Sequence, residues 1–86
     1  MIVCFYPKAW QDYVDWQTHD KQILKKINQL IKDIQRSATD GLGKPEPLAY
    51  ELSGFWSRRI TDEHRLVYRV DGDDIIIVQC RYHYES

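Results

Sequence analysis

One carboxylate between two prolines, a run of arginines at strand spacing and a late histidine are the residues of this 86-residue chain best suited to chemistry. Glu46 lies in "GKPEPL", where Pro45 and Pro47 fix the backbone on either side of it. Arg59, Arg65, Arg69 and Arg81 follow, and His83 stands in the terminal "CRYHYES". Cleaving a ribose phosphodiester without a metal needs a base for the 2′-hydroxyl, a positive clamp for the phosphorane and an acid for the departing 5′-oxygen. Glutamate, arginine and histidine suit those three tasks in turn. Trp56, Tyr82 and Tyr84 would stack on unpaired bases. Other chemistries fit poorly. His19, His64 and His83 have neither HExxH nor paired Cys/His spacing, so neither a metal nor another cofactor is expected. Ser53 and Ser57 sit in no nucleophile elbow. "DGDD" (Asp71–Asp74) lacks the further ligands of a calcium loop and reads as a hairpin turn.

The elements that must hold these residues follow from local pattern. "IVCFY" reads as a short strand, and Pro7 suits the first turn of a helix. Trp10, Tyr13, Val14 and Gln17 share one face of that helix, the first three apolar enough for a core. Asp20 is placed to cap a second helix, in which Ile23, Leu24, Ile27, Leu30, Ile31 and Ile34 recur with helical period. "GKPEPL" reads as a stiff loop. "AYELS", "FWSRRIT", "HRLVYRV" and "DIIIVQCRYHY" read as strands. The expected fold is therefore α+β, with two N-terminal helices on one face of a mainly antiparallel sheet.

Alternation puts Leu66, Tyr68 and Val70 on one side of their strand and Arg65, Val67 and Arg69 on the other. On the last strand it groups Ile76, Val78, Cys80 and Tyr82 against Ile77, Gln79, Arg81 and His83. The simplest packing turns the Leu/Tyr/Val and Ile/Val/Cys sets towards the helices. Arg65, Arg69, Arg81 and His83 then project from the uncovered face, and Arg59 joins them if the "TDEH" turn keeps register. A solvated face of cross-strand charge pairs is the plainer reading of the same pattern.

Length and composition bound the rest. The chain makes one domain, 1–86, with 43% hydrophobic and 29% charged residues. No stretch approaches the ~20 apolar residues of a membrane span, and the N-terminus lacks a secretory signal, so a cytoplasmic protein is expected. Cys4 and Cys80 read as buried free thiols. The net charge is −1, yet five of six lysines precede residue 40 and five of six arginines follow residue 57. Arginine's planar fork suits phosphate; lysine on an amphipathic helix usually marks a solvated face.

"KKINQLIKDIQR", "GKPEPL", "LSGFWSRRITDEHRLVY" and "CRYHY", in that order and spacing, closely resemble the YoeB toxins of the RelE-type superfamily. The resemblance runs from Trp10 to Tyr84. It implies a barnase-like α+β fold and a metal-free endoribonuclease that cuts mRNA in the ribosomal A site, blocking translation. By position, Glu46 matches the family's general base, His83 its general acid and Arg65 its phosphate-stabilising arginine, with Arg59 and Tyr84 in support. The product would be a 2′,3′-cyclic or 3′-phosphate end. Lys44, Trp56, Arg81 and Tyr82 are the expected RNA contacts; the family often has a basic residue soon after "PEPL", where this chain has Ala49 and Tyr50. The resemblance further implies a YefM-like antitoxin as partner and admits a homodimer. Trp10 and Trp16 are the aromatics that hint at a dimer interface, although core packing explains Trp10 as well. The rival reading is a non-catalytic module that docks on the ribosome or a partner and halts translation without cutting; a purely structural partner is a third.

Overall fold

The computed structural model describes residues 1–83. A five-stranded sheet carries two helices on one face. The strands are β1 (Val3–Phe5), β2 (Glu46–Pro47), β3 (Phe55–Arg59), β4 (Arg65–Asp71) and β5 (Asp74–Gln79), and the helices are α1 (Pro7–His19) and α2 (Lys21–Arg36). The sheet order is β1-β5-β4-β3-β2, antiparallel except where β1 runs parallel to β5. Among the described residues no helix is long and apolar enough to cross a membrane. The α+β architecture expected from the pattern is the one observed.

α2 follows its sequence closely. The Asp20 side chain accepts hydrogen bonds from the N–H groups of Gln22 and Ile23, satisfying donors that an uncapped helix leaves open. Ile27, Leu30 and Ile34 are buried, and Ile23, Leu24 and Ile31 flank them. These side chains meet Leu66, Tyr68, Ile75 and Ile77 from the sheet, and each fully buried Leu or Ile contributes about 1.5–3 kcal/mol. The "DGDD" turn closes β4 onto β5 with Gly72 at φ +61, which suits the first central position of a tight hairpin.

Three expectations are corrected. α1 buries Ala9, Asp12 and Trp16, with Tyr13 partly covered, while Trp10 and Val14 remain exposed. Composition favoured the wrong stripe because Asp12, a buried carboxylate, sits on the inner one. Lys8 and the Cys80 N–H are its partners. Trp16 is thereby core, its Nε1–H donating to the Cys80 carbonyl at 3.0 Å, and of the two tryptophans only Trp10 is available to a partner. "AYELS" contributes no strand: Tyr50–Leu52 forms one 3-10 turn, with Tyr50 in the left-handed region.

The third correction concerns β5. Val67 pairs with Gln79 and Tyr68 with Ile77, so Val78 is an extra residue, a β-bulge. Before the bulge Ile75 and Ile77 face the helices; after it Cys80 does. Strict alternation had put Ile76 and Val78 inward and Ile77 outward. One inserted residue reverses that assignment for the first half of the strand and leaves it intact at Gln79 and Cys80.

Candidate active site on the open face of the sheet

The face away from the helices is ordered by register. Glu46 lies opposite Ser57, Ser57 opposite Val67, and Val67 opposite Gln79, one cross-strand row over four strands. Arg59 and Arg65 stand directly opposite each other two residues along, on the same face. Ser57 and Val67 are buried as the floor of this shallow dish, and Glu46 and Arg59 are exposed at its rim.

Each rim group has a local cause. Glu46 belongs to β2, so the proline-stiffened loop ends in two ladder residues rather than remaining free. Gly43 draws the preceding chain onto β3: its carbonyl accepts the Arg59 N–H at 2.7 Å, and its φ is +77. A Cβ there would lie 2.9 Å from the Arg59 carbonyl oxygen, so only glycine permits the approach. Lys44 follows at φ +53, exposed beside Glu46.

Arg65 is anchored from one side. Its Nη1 donates to the carbonyls of Thr61, Asp62 and His64, and among the described residues its Nε and Nη2 make no hydrogen bond. Two N–H-bearing nitrogens are thus left for an anion. Neither Glu46 nor Arg59 has a side-chain partner among the described residues. Two guanidiniums facing each other, with no carboxylate between them among the described residues, oppose folding unless an anion joins them.

The chain leaves β5 at Gln79 and bends back beside β4. The Arg65 N–H donates to the Tyr82 carbonyl at 3.0 Å, and the Tyr82 N–H donates to His64 Nδ1 at 2.8 Å. Tyr82 has φ +62. The bend places His83 in a depression of about 340 Å³ lined also by Lys8, Gln79, Arg81 and Tyr82, one residue beyond the Tyr82 carbonyl that accepts the Arg65 N–H.

Two expected contacts move. Trp56 pairs with Pro47 and Tyr68 on the helix-facing side and packs against the core, so it is not part of the open face. Arg81 does not continue the alternation; its guanidinium stacks over the rings of Trp16 and Tyr82 at 5.2 and 4.9 Å. It still borders the His83 depression. Arg69 holds the face expected of it, towards the far end of β4, beside Asp71. Tyr84 lies outside the described residues. Sequence reasoning missed His64, a buried ring against Trp16 and Tyr82, as well as Lys8 and Gln79. The spacing of Gln79, four residues before His83, was visible; nothing local signalled His64.

Arg58, adjacent to Arg59, is structural. It is fully buried on the helix side, donating to Asp33, Tyr68 and the carbonyls of Ser37, Asp40 and Leu42. Asp33 answers it at the end of α2. The Arg36 guanidinium, the Leu42 N–H and Arg58 together hold its carboxyl well below the usual carboxylate range.

A two-helix, five-strand α+β fold with one open, arginine-bearing face is that of the small RelE-type toxins. A YoeB/ParE toxin from Agrobacterium tumefaciens matches it with a TM-score of 0.95 at 48% identity, over 98% of this chain and 100% of that one. The chain belongs to the YoeB-like toxins of bacterial type II toxin–antitoxin systems, whose family model matches residues 5–84. Toxin YoeB of Escherichia coli K12 is 62% identical over 98% of this chain and all of its own length. The toxin of a YoeB–YefM complex from Staphylococcus aureus matches with a TM-score of 0.91 at 48% identity, over 98% of both chains.

Proposed function

We propose that this toxin is a ribosome-dependent mRNA endoribonuclease that cuts in the A site and so arrests translation. The observation that carries the reading is the Arg59–Arg65 pair, unbridged among the described residues, with Glu46 on the strand beside Arg59 and the chain that leads into His83 tied to the Arg65 N–H through the Tyr82 carbonyl. Glu46 and Arg65 belong to strands two steps apart, about 10 Å at ordinary strand spacing, which leaves room for a phosphodiester between them.

Glu46, ionised, takes the proton of the 2′-hydroxyl as its oxygen attacks phosphorus. The O2′–P bond forms, and Arg65, with Arg59 beside it, holds the charge that gathers on the phosphorane oxygens. The P–O5′ bond breaks with its electron pair going to the 5′-oxygen, which takes a proton from protonated His83. A 2′,3′-cyclic phosphate results, and water opens it to a 3′-phosphate with the roles of acid and base exchanged. Lys44, Arg81 and Tyr82 border this path and serve as RNA contacts; Tyr84 is assigned to support His83. No step in this scheme calls for a metal.

A YefM-like antitoxin is the partner that fits such a face. The S. aureus relative is seen in complex with YefM, and a flexible acidic segment would satisfy Arg59 and Arg65 while covering Glu46. A homodimer through the exposed Trp10 end of α1 is a second assembly, set by concentration.

The test is to map mRNA ends after adding the protein to programmed ribosomes with chelator present. Native protein should cut at A-site codons. His83→Gln, correctly folded, should lose about 10²–10⁴-fold in rate. Stalled ribosomes on intact mRNA would replace the nuclease with a binding module.

A further inference from the structure

The bend that delivers His83 is held by a side chain with no other hydrogen bond among the described residues. Gln79 Nε2 donates to the carbonyls of Arg81 at 2.7 Å, Tyr82 at 3.2 Å and His83 at 2.7 Å. One carboxamide nitrogen thus gathers three successive carbonyls. Between them Tyr82 adopts φ +62, a left-handed conformation unfavourable for a residue with a Cβ. Such a residue persists only where its surroundings over-determine it, and functional sites are where that is found. Here the surroundings are specific. His64 Nδ1 accepts the Tyr82 N–H, the Arg65 N–H reaches the Tyr82 carbonyl, and Gln79 binds the carbonyls around the bend. His64 is itself fixed between Trp16 and Tyr82, with Nε2 3.4 Å from Glu63.

The Val78 bulge explains why Gln79 is available. Without the extra residue, strict alternation from Ile77 would turn residue 79 towards the helices. With it, Gln79 joins the open-face row opposite Val67. A polar side chain is thereby set beneath the returning chain, four residues before the histidine it serves.

We propose that Gln79 is a positioning residue for His83, its carboxamide holding the left-handed bend at Tyr82 that carries His83 back alongside β4, where the Tyr82 carbonyl meets the Arg65 N–H. This rests on the nuclease reading, because positioning matters only if His83 delivers a proton. Gln79 does not contact the reacting atoms in this scheme. Its loss therefore lowers the turnover rate and leaves substrate affinity alone.

The experiment compares Gln79→Met, similar in length but without donors, with the native toxin in two ways. Steady-state cleavage on programmed ribosomes gives kcat and KM, and NMR relaxation of the free protein gives the backbone order parameter at His83. Gln79→Ser serves if the Met variant does not fold, and Asp20→Ala, which removes the α2 cap without touching the bend, controls for lost stability. The expected result is a kcat at least tenfold lower, KM within twofold, and a lower order parameter at His83, with kcat retained in Asp20→Ala. Unchanged order at His83, unchanged kcat, or a KM that rises as kcat falls overturns the proposal. Should native toxin leave mRNA intact, the nuclease reading fails and the positioning role with it; the order parameter then still reports whether Gln79 holds the bend.

Discussion

Arg59 and Arg65 face each other across β3 and β4, a placement that opposes folding until an anion bridges them. A millimolar polyanion such as pyrophosphate should therefore raise the melting temperature of the native protein and not that of Arg65→Ala, as thermal denaturation would read. The same substitution should slow mRNA cleavage by about 10²–10³-fold, the usual loss when a donor to a developing anion is removed. Retained cleavage by Arg65→Ala would move the clamp elsewhere. The two cysteines differ for an equally local reason. Burial first, then the nearby Asp12 carboxylate, pushes the Cys80 thiol up to about 12, whereas Cys4, expected from its apolar run to be buried, is exposed on β1. An alkylating reagent at pH 8 should label one thiol in the native protein and two after unfolding; native labelling of both would contradict the core described around Cys80.

At the scale of elements, the apolar packing of α2 on the sheet is joined by a polar link at the helix's C-terminal end. Arg58, fully buried on β3, answers Asp33 on α2 and the carbonyls of the loop that follows it. Removing one member of such a set leaves the others desolvated and unpaired. Arg58→Met should lower the unfolding free energy by about 3 kcal/mol, a large part of the margin of a small domain. Asp33 makes the link sensitive to acid. Its carboxyl is depressed in the folded chain, chiefly by Arg36, so the unfolded chain takes up its proton first. The contribution is complete above the ordinary carboxylate range and is lost as pH falls below about 4. Denaturant unfolding of Asp33→Asn should show a deficit at pH 7 that narrows towards pH 2. A deficit independent of pH would mean that shape, not charge, joins the helix to the sheet.

For the whole molecule, charge is arranged rather than abundant. A net charge of −1 gives little release of counterions on free RNA, although Arg59, Arg65 and Arg69 share the open face. The ribosome would then supply the binding and alignment that this small protein lacks. Cleavage of the same mRNA free in solution should be slower by several powers of ten than on programmed ribosomes; comparable rates would remove the ribosome from the reading.

Local physics in the sequence was enough for much of this. The isoleucine period and Asp20 cap of α2, the hairpin at Gly72, the strand carrying Arg65 and the α+β class all depend on residues near one another in the chain. Glu46 and His83 could be marked as candidates from the flanking prolines and from their place near the chain's end, whereas Arg65 was picked out from the other arginines only by the resemblance to the YoeB toxins. The non-local facts belonged to the tertiary structure. The bulge at Val78 depends on pairing with β4, the inner face of α1 on a partner for Asp12, and the burial of Arg58 on the end of α2. Trp56 and Arg81 lost their expected exposure because the core and the Trp16 ring claim them. His64 and Gln79 acquire their roles only when the chain bends back at Tyr82, since a hydrogen bond across the fold leaves no period or composition in the sequence to be read.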